Sequence, residues 1–139
     1  MRQHAARWWS STGCALLPTG DAFDYVKAPG YCARAVADRF PKAALINYPR
    51  YWRVAVLVVP GTANTWDLET AGGMVCEGAG EHLNVPAPDR TAMEGEDPYW
   101  LRPPGDQPWF PPANELAALL HRLEEDVMRA QQPANEHRT

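Results

Sequence analysis

The chain has 139 residues, 45% of them hydrophobic and 22% charged, with a formal net charge of −4. That length and composition fit one globular domain whose core is large enough to fold without disulfides or a structural metal. The acidic balance provides no general footprint for a phosphate backbone, and no apolar run approaches the ~20 residues of a membrane span, so any nucleic-acid affinity has to be local and no membrane partner is expected.

Three scattered cysteines, Cys14, Cys32 and Cys76, form no C-x-x-C pair and read as reduced, buried thiols of a cytoplasmic protein. The N-terminal stretch through Trp8 and Trp9 is charged and has no apolar signal core, which argues against export. Arginine far outnumbers lysine and isoleucine occurs once, at Ile46, the bias of a GC-rich bacterial genome. Arginine counts therefore carry little functional weight.

In chain order, residues 3–9 read as a short helix that docks Trp8 and Trp9 on a sheet. A first strand at 15–17 is ended by Pro18-Thr19-Gly20, and a second at 23–26 is cut by Pro29-Gly30. Residues 31–40 read as a helix: Cys32, Val36 and Phe40 fall four apart on one face, and Pro41 stops it. Strands follow at 43–46 and 53–59. In the second, Val54, Val56 and Val58 alternate with Ala55, Leu57 and Val59, so both faces are apolar and the strand belongs at the centre of a sheet. Residues 64–70 make one or two helical turns. Strands at 74–76 and 82–85 are expected to form a hairpin through Gly78-Ala79-Gly80. The chain has fourteen prolines, and they crowd between Pro86 and Pro112, which predicts a long loop there, interrupted by a short strand at 99–101. From Asn114, a good capping residue, a long helix runs to about Gln131 on Leu116, Leu119, Leu120, Leu123 and Val127. The polar tail 132–139 is expected to be disordered. The sum is a single α+β domain over residues 1–131, a mostly antiparallel sheet flanked by helices with a long C-terminal helix.

The order of these pieces is a Trp-Trp helix, then Leu17-Pro18-Thr19-Gly20 with Phe23-Asp24, a helix, a valine-rich strand ending Pro60-Gly61-Thr62, Glu77-Gly78-Ala79-Gly80, a strand ending Pro86-Ala87-Pro88, and Tyr99-Trp100-Leu101-Arg102-Pro103-Pro104. It resembles the bifunctional DNA primase/polymerase N-terminal family, the prim-pol domains of the archaeo-eukaryotic primase superfamily, and most of all their divergent actinobacterial members. The likeness spans roughly residues 5–123 and rests on order and spacing, since each turn alone is common. It implies a prim-pol-like fold. Active members use a pair of acids on one strand, a histidine on a second and an acid on a third, with two divalent metals clamping the triphosphate. Here Asp24 falls at the first acid, but its companion falls at Val26 or Lys27, the histidine near Val54 and the third acid near Val75, with Glu77 two residues beyond on the same face. The family's first strand, with its Lys-Pro segment, has no counterpart. The resemblance thus implies a truncated, degenerate domain in which Asp24 and Glu77 are residual catalytic positions, no metal set is complete, and magnesium or manganese enters only if a rebuilt acidic site survives. The expected function is non-catalytic and accessory to DNA replication or mobile-element maintenance. The alternatives are an active metal-dependent primase-polymerase, or a protein–protein adaptor using a sheet edge or the C-terminal helix.

Independently of that likeness, Asn47-Tyr48-Pro49-Arg50-Tyr51-Trp52-Arg53 interleaves arginines with aromatics, which suits stacking on unpaired bases with arginine on phosphates. Arg50, Tyr51, Trp52 and Arg53 are therefore candidate contacts for single-stranded nucleic acid or a nucleotide, with Arg2, Arg7 and Lys42 as company. The plainer alternative has the aromatics covering a sheet edge and the arginines in water. Thr19 and Gly20 could offer backbone N–H groups to a phosphate, yet the lysine and glycine run of a phosphate loop are missing. Asp24 has a competing role as a turn or capping residue. Glu77, Glu81 and His82 surround a glycine turn, but alternation separates Glu81 from His82, so no metal site is assigned. His4, His121, His137, Ser10 and Ser11 lack the settings of a nucleophilic enzyme.

Overall fold

A computed structural model describes residues 14–131. The expected Trp-Trp helix at 3–9, Arg2 and Arg7, and the tail 132–139 lie outside the described residues. Seven strands run in the order β1 (Cys14–Pro18), β2 (Asp24–Pro29), β3 (Leu45–Tyr48), β4 (Arg53–Val58), β5 (Cys76–Glu77), β6 (His82–Pro86) and β7 (Tyr99–Arg102). Two α-helices, α1 (Ala33–Arg39) and α2 (Ala113–Ala130), complete the α+β fold. The strands build two antiparallel sheets, one of five strands ordered β5-β2-β4-β3-β7 and one of two, β1-β6.

β4 occupies the middle of the large sheet because nothing along it tolerates water: residues 54–58 are at most 1% exposed. One face, with Val54, Val56, Val58, Val26 and Leu45, packs under Val36 of α1 and Leu116, Leu119 and Leu120 of α2. The other face, with Tyr25, Ile46, Ala55, Leu57 and Trp100, is covered by Ala15, Leu17, Leu83 and Val85 of the β1-β6 sheet. Helices, large sheet and small sheet thus stack as three layers with a core on each side of β4.

The predicted helical face of α1 is as read, with Cys32, Val36 and Phe40 buried. Its end is set by Arg102 of β7, whose guanidinium donates to the carbonyls of Ala37 (3.0 Å), Phe40 (2.8 Å) and Ala43 (3.3 Å), closing acceptors that a helix terminus leaves open. In α2 the cap is Pro112 and not Asn114, which lies inside the first turn; a proline loses nothing there because first-turn N–H groups have no helical partner. The strand expected at 43–46 is shifted to Leu45–Tyr48, while Ala43 instead bridges to Trp109.

The expected 74–76/82–85 hairpin is not formed. β5 pairs with β2, β6 pairs with β1, and residues 78–81 carry the chain from one sheet to the other. The end of β1 staples this crossover: Thr19 Oγ1 donates to the Gly78 carbonyl (2.5 Å) and the Thr19 N–H to the Glu81 carbonyl (3.0 Å).

Candidate functional site

Asp24 and Glu77 are not brought together. Glu77 pairs across from Tyr25, so the two share a face of the large sheet, and the two-residue period of β2 puts Asp24 on the opposite face. Asp24 is 1% exposed, and its Oδ2 accepts the backbone N–H groups of Gly61 (3.0 Å) and Ala63 (2.9 Å). It clamps the turn that follows β4, and Oδ1 has no partner. Gly78 is required beside it, because a Cβ there would stand 2.7 Å from Oδ2 and 2.8 Å from Oδ1. A two-metal centre needs oxygen ligands converging on one point, and the residues present do not fit one. No group of three or more His, Cys, Asp or Glu able to hold a metal ion occurs among the described residues.

The Thr19-Gly20 segment offers no donors to a phosphate. The N–H of Thr19 goes to Glu81, that of Gly20 to the Phe23 carbonyl (2.8 Å), and the Thr19 hydroxyl to Gly78. Buried thiols are equally committed to packing: burial pushes Cys32 up to about 11 and Cys76 up to about 12, so neither is a thiolate near neutral pH.

The chemistry gathers elsewhere, at the end of the large sheet where β2 finishes and β4 begins. A cleft of about 720 Å³ opens there between the two sheets, lined by Lys27, Tyr48, Arg50, Tyr51, Arg53 and Asn84 above buried Ala55 and Leu83. That size is typical of small-ligand sites. The Tyr48 hydroxyl ties the sheets across it by donating to the Asn84 carbonyl at 2.6 Å. Burial pushes both Tyr48 and Tyr25 well above the usual phenol range, so they act as neutral donors. Beside the cleft, Glu77 accepts the Tyr25 hydroxyl (2.5 Å) and pairs with Lys27 Nζ (2.9 Å). Burial alone would raise the Glu77 carboxyl, but the hydrogen bonds from Tyr25 and Lys27, with the lysine charge, outweigh it and hold the carboxyl below its ordinary value. Lys27 is neutralised by Glu77, and Arg50 is paired with Glu96 (3.3 Å). Arg53 is different. Its guanidinium makes a long contact with the Trp52 carbonyl (3.4 Å) and has no carboxylate in ion-pair range among the described residues.

The aromatics of the predicted cluster divide. Tyr48 is half-buried and joins the sheets, whereas Tyr51 is 67% and Trp52 79% exposed. Trp52 is also the single non-glycine residue with positive φ (55°) among the described residues. A short 3₁₀ turn, Pro49–Tyr51, reverses the chain, and the left-handed step at Trp52 returns it into β4, with the Trp52 carbonyl accepting the Gly30 N–H at 2.8 Å. An indole at such a position is disfavoured sterically, and nothing covers it in return.

Sequence reasoning thus found the cleft residues Arg50, Tyr51 and Arg53, with Trp52 between them in the chain but outside the lining, and missed Lys27, Asn84, Glu96 and Asp97, which complete the cleft. Lys27 carries a readable signal, a cation two residues from Tyr25 with apolar Val26 and Ala28 on either side. Glu96 and Asp97 carry none, because only the path of a long loop brings them to β4. In comparisons with known proteins, no family model, curated protein or solved structure matches this chain.

Proposed function

We propose that this chain is a non-catalytic binding domain that holds single-stranded nucleic acid weakly at the mouth of the cleft. The prim-pol likeness makes it a degenerate member of that lineage, accessory to DNA replication or mobile-element maintenance. The observation that carries the reading is the placement of Tyr51 and Trp52, bare to solvent, beside Arg53, a cation with no carboxylate partner among the described residues. Exposed aromatic faces accept unpaired bases whatever their sequence, and an uncompensated guanidinium accepts phosphate. Duplex DNA hides its base faces and should bind less well. The metal-dependent enzyme is the weaker reading because Asp24 and Glu77 lie on opposite faces of the sheet. The adaptor through α2 is weaker too, since Met128 is the one strongly exposed large apolar residue on that helix.

Fluorescence anisotropy with a short labelled oligothymidylate at low salt tests the proposal. Wild-type protein binds; Trp52→Ala weakens binding by about tenfold, the scale of one base–aromatic stack, and Arg53→Ala by several-fold. Absence of binding by the wild type retires the nucleic-acid reading and leaves the adaptor.

A further inference from the structure

The loop between β6 and β7 sets an acidic arm against the basic rim of the cleft. Residues 91–97 are exposed throughout, yet the loop is tied to itself. Arg90 pairs with Glu94 (3.7 Å) and Asp97 (3.4 Å), the Asp97 N–H donates to the Glu94 carbonyl (3.3 Å), and Gly95, at φ 61°, makes the bend. The base of the loop is closed by the Trp100 N–H on the Arg90 carbonyl (2.8 Å). This frame presents Glu96 to Arg50, with Oε2 at 3.3 Å from Nη2. Both side chains are well exposed, 66% and 61%, so water screens the pair and little holds it closed. A phosphodiester offers the guanidinium a full charge and a two-oxygen edge that accepts its fork of donors, as a carboxylate does.

We propose that Glu96 is a displaceable stand-in for a ligand phosphate: its carboxylate occupies Arg50 until a phosphate of the bound strand replaces it. The inference rests on the single-strand reading above and adds its regulation. A first phosphate lands on Arg53, where there is no competitor. A second has to expel Glu96 from Arg50. Ligands with linked phosphates are therefore favoured over mononucleotides, and stray monoanions do not occupy the whole rim.

The experiment compares wild type, Glu96→Gln, Arg50→Ala and the double variant in the same oligothymidylate titration, with Glu125→Gln on α2 as an equal charge change elsewhere. Glu96 is exposed, so its replacement leaves folding intact, and equal thermal midpoints verify this. Glu96→Gln should tighten binding by about threefold at low salt, the scale of one exposed ion pair. The gain should vanish in the Arg50→Ala background and be absent from Glu125→Gln. Binding by the wild type with no gain in Glu96→Gln overturns the inference and leaves the single-strand reading standing. A gain that persists without Arg50, or is matched by Glu125→Gln, also overturns it, as a general charge effect. Failure of both wild type and Glu96→Gln to bind removes the single-strand reading and this inference together.

Discussion

Asp24 and Trp52 show how far a residue's chemistry depends on where its neighbours leave it. Asp24 sits at the position where the prim-pol likeness places a metal-binding acid, yet its Oδ2 is spent on Gly61 and Ala63. Asp24→Ala strands two N–H groups in a site 1% exposed, each costing about 1–3 kcal/mol. Urea denaturation should therefore show a loss of about 2–6 kcal/mol, with less for Asp24→Asn, which keeps an acceptor. A variant as stable as wild type would mean the clamp is not what Asp24 is for. Trp52 presents the opposite balance. The left-handed conformation costs an L-residue about 1–2 kcal/mol, while glycine's extra freedom in the unfolded chain costs about 0.5–1 kcal/mol. With 79% of Trp52 in water there is little packing to lose, so Trp52→Gly should stabilise the fold by roughly 0.5 kcal/mol, the difference between those two terms. The same variant should weaken oligonucleotide binding. A domain that gains stability as it loses affinity identifies the indole as retained for its ligand; a loss of both would assign it to packing.

At the scale of elements, the β2–β5 edge makes a pH-dependent contribution through Glu77. Its folded-state carboxyl lies below its ordinary value of 4.5, held there against burial by Tyr25 and Lys27. A depressed folded value means stability that is present above the unfolded value and lost as pH falls through the folded one. Glu77→Gln removes that contribution, so the variant should be less stable than wild type at pH 7, and the gap should close as pH falls below about 4. A gap that stays constant with acidification would assign the variant's defect to lost hydrogen-bond geometry alone. The same edge shows why the sequence is readable only in part. β4 was legible because two apolar sets alternating from Val54 can be satisfied only by a strand covered on both faces. α1 was legible from Cys32, Val36 and Phe40, and α2 from its leucines. The crossing at 78–81 was not, since Gly78-Ala79-Gly80 suits a hairpin locally, and the deciding contacts come from Thr19 and Asp24, more than fifty residues away. The site divides the same way. The contiguous run Arg50–Arg53 was visible, whereas its apposition to Lys27 and Glu96 is a product of the fold.

For the whole molecule, a net charge of −4 repels a polyanion, and the proposed binding has to overcome that repulsion at one end of the large sheet. This fixes what salt should do. Each phosphate neutralised on a single strand contributes about 0.7 to the slope of log affinity against log salt, so Arg50 and Arg53 together allow a slope of roughly −1.4. The wild-type slope should be shallower than that, because salt also screens the exposed Arg50–Glu96 pair that the phosphate has to displace, which offsets part of the loss. Replacing Arg50 and Arg53 together with alanine should bring the slope close to zero. Trp52→Ala should lower affinity with the slope unchanged, because stacking releases no counterions. Titrations at three or four salt concentrations separate these terms. A wild-type slope steeper than about −3, or one that survives loss of both arginines, would place the strand on a different surface, because two cations cannot release that many ions.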